Sequence, residues 1–495
     1  MVSALALMAT LLGTAATLPP AARDSVGDGA RQVVREARVA VENDSAQAIM
    51  ARWSAQLGPD SSDRRMLLGL ATAARLSYDD TTATRLYQRL LGSPGSGDAY
   101  GVYAQLGLAR IFFDRADLRA ADSAASTALL QARALHDRST EGEALLAVAD
   151  ARMDEDAKVG RAYLDSALKA LPTAATEPIA EAQCRRVRLG FRSGDARFPR
   201  ELPVALAYAR RVGATRAEAQ CLRTAAIDLW TSGQLDSATV LLRHSAQLQG
   251  TVRDRRSLAF TLATLADLLR DQGAYGEART TVAAALEQAR ASHYVWGEAT
   301  ATHLTGTLAY SLRDLSTAAS ALDRADTLYG TLGDSADQMN VRSWQANIAR
   351  DRGDLTTARR VTREVIAAAR REQAVPWTVD LFQALADIEI IAGDYPAAAA
   401  ALDTAGQILR KQGTRSWEAK LVYQRGCLAL HQGDLDSAER IFRAYLRTLD
   451  NDEGLRRHEI QGYLADIRVR RGDLTGAERD LAAAGERATG HRCPT

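Results

Sequence analysis

Histidine and cysteine are the side chains best able to hold a metal or attack a substrate, and here they are few and dispersed. The chain has 495 residues, with seven histidines and four cysteines: Cys184, Cys221, Cys427 and Cys493. The nearest two histidines, His293 and His303, lie ten positions apart. On a helix of 3.6 residues per turn they face directions about 80° apart, which does not suit a shared metal. Cys184 and Cys221 sit one repeat apart, but ten residues before Gly194 and twelve before Gly233. That offset points them differently, so buried free thiols are expected, with a bridge as the alternative in an exported protein. No phosphate-cradling Gly-rich loop with Lys occurs, nor H-E-x-x-H, a paired C-x-x-C, or G-x-S-x-G. No catalytic residue, metal or cofactor is expected, and the chain is read as not an enzyme.

The elements that would carry any site are repetitive. Gly, then Asp or another polar residue, then Leu or Tyr, then Ala three positions on, recurs at Gly233, Gly273, Gly353, Gly393, Gly433 and Gly472, with Arg313 filling the gap. Successive starts are 40, 40, 40, 40, 40 and 39 residues apart. Weaker copies at Gly194-Asp195, Glu155-Asp156, Ala116-Asp117, Tyr78 and Asn43-Asp44 extend the series to as many as twelve hairpins. The chemistry of Gly-Asp explains the turn. Gly takes the left-handed conformation that ends a helix, and Asp caps the free N–H groups that open the next. The segment after each turn is amphipathic, as in Leu435, Ala438, Phe442, Tyr445 and Leu449. A small residue stands twelve positions before each second-helix Ala, as in Ala226/Ala238, Ala386/Ala398 and Gly426/Ala438. Such pairs let two helices approach closely.

This pattern resembles the tetratricopeptide repeat. The period is about 40 rather than the common 34, the usual closing Pro is absent, and Trp377 and Trp417 lie nine residues before their small residue. The long form is similar to arrays in bacterial maltose-activator-type regulators and to those preceding caspase-like CHAT domains. The resemblance implies an all-α, right-handed superhelical solenoid of antiparallel helix hairpins. It also implies a concave groove lined by first helices, with outward positions three before, one after and four after the small residue. Those positions give the candidate partner-binding residues Arg223, Trp230, Asp267, Arg270, His303, Tyr310, Asn347, Arg350, Gln383 and Asp387. Trp296, Trp377 and Trp417 are read as packing against the preceding repeat.

Composition narrows the partners. Sixty-two basic residues balance 61 acidic ones, so no net field favours nucleic acid or an anionic membrane. Val2 to Leu18 is uncharged and short for a membrane span. It reads as a secretory signal with small residues at Thr14-Ala15-Ala16, although no Lys or Arg precedes it. Export is expected, with no stable membrane insertion after signal removal; the alternative is a cytoplasmic protein whose first helix starts here. The organisation read from sequence is a signal-like segment at 1–22, degenerate repeats at 23–100, divergent repeats at 101–204, a regular array at 205–485 and a tail at 486–495. Leu91 to Gly97 reads as a loop and Phe191 to Pro203 as an altered hairpin. With no long helix after Gly485, the last repeat is expected to expose Leu474, Ile467 or Leu481, a route to a homo-oligomer. The function expected is a non-catalytic scaffold for a protein or peptide. The alternative is the sensor array of a signalling protein of the CHAT-protease or transcription-regulator kind, its effector elsewhere.

Overall fold

A computed structural model of the chain describes residues 27–57, 63–95, 97–153, 156–173, 175–372, 375–412, 416–447 and 454–484. The signal-like segment, the tail, Glu155 and Cys493 lie outside these residues. The described residues form helices and turns, with no strand among them. The helices are α1 (Asp28–Glu42), α2 (Ala46–Gln56), α3 (Arg64–Leu76), α4 (Asp80–Leu91), α5 (Ala99–Asp114), α6 (Leu118–Ala134), α7 (Arg138–Arg152), α8 (Ala157–Ala170), α9 (Thr176–Arg192), α10 (Phe198–Arg211), α11 (Thr215–Thr231) and α12 (Leu235–Thr251). They continue with α13 (Arg255–Asp271), α14 (Tyr275–Ala291), α15 (Val295–Ser311), α16 (Leu315–Leu332), α17 (Ser335–Asp351), α18 (Leu355–Arg371), α19 (Val375–Ile391), α20 (Tyr395–Gln412), α21 (Ser416–His431), α22 (Leu435–Leu446), α23 (Gly454–Arg470) and α24 (Leu474–Ala484). Consecutive helices pack in pairs. Two compact units result, one up to Leu308 and one from Ala309.

The turns follow from their residues. Gly353 adopts φ 81°, and Arg313 takes φ 63° in the slot that Gly fills elsewhere. Ala116, Tyr78 and Asp44 are also left-handed, so the weak early copies do open hairpins. The next residue caps the second helix: the carboxylate of Asp354 accepts from Thr357 N at 3.0 Å and that of Asp434 from Ser437 N at 3.0 Å. Left-handed residues also occupy the connections between hairpins, at His136, Gly213, Arg253, His293 and Gly333. These were not singled out in the sequence because no single residue type marks them.

Close helix approach comes from the paired small residues. Ala226, Ala238, Ala386 and Ala398 have no exposed surface. Gly426 lies against Phe442, whose Cε1 would stand 2.5 Å from an added Cβ. Of the residues expected to be bared at the last hairpin, Leu474 is 63% exposed, but Ile467, on α23, is fully buried in a core with Phe442 and Tyr445 of α22. The Leu481 side chain lies outside those described.

Phe191 to Pro203 does form an altered hairpin, and one expectation fails beside it. Cys184 on α9 and Cys221 on α11 are joined by a disulfide, their Cα atoms 5.3 Å apart and both side chains buried. They are not free thiols. Counting offsets from the turns assumed that α9 and α11 keep the register of the regular repeats. Between them the second helix starts at Phe198, four residues after Gly194, whereas the regular α12 starts two after Gly233.

The first unit closes on itself. Along α1, Arg31 pairs with Asp137 at 2.9 Å, Arg38 with Glu177 at 2.6 Å and Glu42 with Arg216 at 2.6 Å. Asp44 pairs with Arg253 at 2.9 Å, and the Tyr78 hydroxyl donates to Arg253 O at 2.9 Å. Arg256 reaches back to Asp80 at 2.8 Å and to Asp114 at 2.5 Å. Helix α1 thus lies across the starts of α7, α9 and α11, and the turn after it reaches the turn before α13.

Candidate first-helix binding row

The predicted row falls on first helices, but much of it is engaged in holding neighbouring first helices together. In the first unit, Arg223 is only 8% exposed. Its guanidinium lies over the Phe260 ring, 4.4 Å from the centroid, and Nη1 donates to Thr261 Oγ1 at 3.4 Å. Trp230 Nε1 donates to Asp271 Oδ2 at 3.1 Å. Arg270 pairs with Asp267 and Asp271, each at 2.9 Å, and donates to Thr307 Oγ1 at 3.2 Å. His303 is buried, and burial, helped by the positive charge of Arg270, pushes its pKa down to about 4. Burial raises the Asp267 carboxyl above its ordinary value.

The second unit repeats the arrangement. Tyr310 donates to Asp351 Oδ2 at 2.7 Å and accepts from Arg350 Nη2 at 3.1 Å. Arg350 also bonds Asp351 Oδ1 at 2.8 Å, and Trp344 meets the Tyr310 ring edge-on at 5.4 Å. Gln424 Nε2 donates to Gln383 O at 3.1 Å and to Asp387 Oδ1 at 2.9 Å. Gln383 itself is 1% exposed. Asn347 is half-buried, and its side chain makes no hydrogen bond among the described residues.

Thr307 falls on the expected position one after the small residue Gly306, whereas Asp271, Asp351, Gln424 and Phe260 were missed from sequence. A signal existed for two of them. An aromatic four after the small residue and an Asp five after it in the next repeat are 41 positions apart, as in Trp230/Asp271 and Tyr310/Asp351. The polar interior of the first unit had no such signal. There Tyr103 donates to Glu143 at 2.7 Å, and burial pushes the Glu143 carboxyl up to about 7. Trp296 packs on Phe260 with ring centroids 5.4 Å apart, and Trp377 packs against the core of its own unit. The Trp417 side chain lies outside those described. Among the described residues no group of three or more His, Cys, Asp or Glu is placed to hold a metal ion, and no helix is long and apolar enough to cross a membrane.

No family model matches the chain, and no curated protein matches it in sequence. Among solved structures it is similar to a Rap protein complexed with Competence and Sporulation Factor, with TM-score 0.52 and 12% identity over 70% of this chain and 98% of that one. It is also similar to a Signal Transduction ATPase with Numerous Domains with a tetratricopeptide repeat sensor from Pyrococcus horikoshii (TM-score 0.45, 12% identity, 85% of this chain and 71% of that one). A third is a tetratricopeptide repeat protein from Parabacteroides merdae (TM-score 0.39, 16% identity, 62% and 98%). At such identities the likeness concerns the fold. The fold is an all-α array of helical hairpins that resembles the tetratricopeptide repeat, with hairpins of about 40 residues in place of the common 34.

Proposed function

We propose that the chain is a non-catalytic scaffold that binds a protein or peptide partner on the first-helix row of its second unit. The observation that carries this reading is Asn347. Its half-buried amide has donors and an acceptor that no hydrogen bond among the described residues takes up, and it lies one helical turn from Arg350. An extended backbone can use such an amide without breaking the ladder. The Rap protein of similar fold was captured with a bound factor, which supports the class of function. A photo-crosslinking residue in place of Asn347 should trap a partner in cells, whereas the same probe in place of Arg360, on a second helix, should not. Capture from position 360 alone would move binding to the second-helix surface.

Export is part of the proposal. It is supported by the uncharged Val2 to Leu18 run and by the Cys184–Cys221 bond, since disulfides persist mainly in oxidising compartments. The second reading, a sensor array whose effector lies elsewhere, is favoured by the closed interior of the first unit.

A further inference from the structure

Arginine is seldom buried without a carboxylate, because moving its charge out of water costs several kcal/mol unless a counter-charge compensates. The first unit mostly obeys this rule: Arg31 has Asp137, Arg256 has Asp80 and Asp114, and Arg185 has Asp150. Arg223 does not. It is 8% exposed, and its one hydrogen bond among the described residues is the 3.4 Å contact to the Thr261 hydroxyl. Among the described residues its Nε and Nη2 donate to no protein acceptor, and no ion pair reaches it. What it has is a mount. The guanidinium rests on Phe260, which packs on Trp296, which in turn meets Tyr294 at 6.0 Å. That stack fixes the plane of the fork. The neighbourhood compensates only in part: burial, with the positive charge of Arg188, outweighs the opposing pull of Tyr294 and Asp254 and lowers the Arg223 pKa to about 10. Arg223 therefore remains a cation at neutral pH.

Solvent reaches this neighbourhood: Arg110, whose charge acts on Tyr294 together with those of Arg223 and Arg256, keeps 42% of its side-chain surface exposed. The ties of Tyr78 to Arg253 and of Arg256 to Asp80 and Asp114 close this interior from the side.

We propose that the first unit is a receptor for a small oxyanion, a carboxylate or phosphate compound, bound by the Nε and Nη2 edge of Arg223. An oxyanion accepts two parallel hydrogen bonds from that edge and supplies the missing charge. The proposal goes beyond the scaffold reading, which concerns Asn347 in the other unit, and stands if that reading fails.

The test uses the full chain and Arg223→Met, which keeps the apolar stem over Phe260. Thermal unfolding and calorimetric titration are run with sodium acetate, sodium citrate and sodium phosphate against sodium chloride at matched ionic strength. In the wild type at least one oxyanion should bind saturably and raise the unfolding temperature, citrate or acetate marking a carboxylate ligand and phosphate a phosphorylated one. In Arg223→Met the saturable response should weaken about tenfold or more. The ligand-free variant should melt at or above the wild-type temperature, because an uncompensated charge has been removed. The proposal is overturned if no oxyanion binds the wild type, if the variant responds equally, or if the ligand-free variant melts well below wild type. The last result would make Arg223 a structural cation.

Discussion

At the scale of single residues, two positions follow directly from geometry. Gly426 faces the ring of Phe442 so closely that Gly426→Leu should destabilise the second unit by about 1–3 kcal/mol through overpacking. Denaturant unfolding should show this as a lower midpoint with an unchanged slope. Glu143 makes the opposite kind of prediction, one of pH. Burial raises its pKa from the ordinary 4.5 to about 7, so the folded state holds this proton more tightly than the unfolded chain. The stability this contributes is fully present below pH 4.5 and is lost as pH rises through 7. Glu143→Gln should therefore gain on the wild type in unfolding temperature between pH 5 and pH 8. A gap that stays constant would show that the carboxyl titrates normally. Neither prediction depends equally on sequence. The Gly426/Ala438 pair was legible as a close contact from its twelve-residue spacing. Glu143 was not, because its environment is made by Tyr103 and Arg38, neither of them a near neighbour in the chain.

At the scale of elements, the hairpin was legible because its chemistry is local. A left-handed residue followed by a capping carboxylate specifies a turn within two residues, and the structure repeats it where Arg313 or Ala116 replaces Gly. Where the cap is missing, stability is available. Gln234 has φ −89° and ψ 63° without a side-chain cap, close to Asp354 at −81° and 71°, which has one. Gln234→Asp should stabilise, and Asp354→Ala should destabilise, each by about 1 kcal/mol, measured by chemical denaturation. The disulfide was not legible in this way. Its two helices flank the hairpin that departs from the repeat, so offsets counted from regular turns misplace the sulfurs. Closing a loop over a sequence separation of 37, the bond should contribute about 2–4 kcal/mol. Replacing both cysteines with Ser should lower the unfolding temperature and the denaturant midpoint accordingly.

At the scale of the whole molecule, the two units differ in how their parts depend on one another. The fold class was visible in a periodicity that runs nearly the length of the chain. The closure of the first unit was not, since Arg31–Asp137, Glu42–Arg216 and Arg256–Asp80 join residues 106 to 176 positions apart, and no local pattern encodes such a meeting. The same closure explains why the candidate row reads differently in the two units: Arg223 lies in an enclosed interior, while Asn347 lies on a helix row with no such strap. In the second unit each hairpin should depend on its neighbours alone, as in a stacked array. The most direct test of this account is far-ultraviolet circular dichroism with urea unfolding of a chain ended at Arg447, which lacks the hairpin of α23 and α24. The account predicts that the helical signal falls only by the share of those two helices and that the remainder still unfolds cooperatively, with stability lowered by one hairpin's contribution. Loss of the helical signal throughout the chain would contradict it, and would mean that the hairpins form one indivisible core.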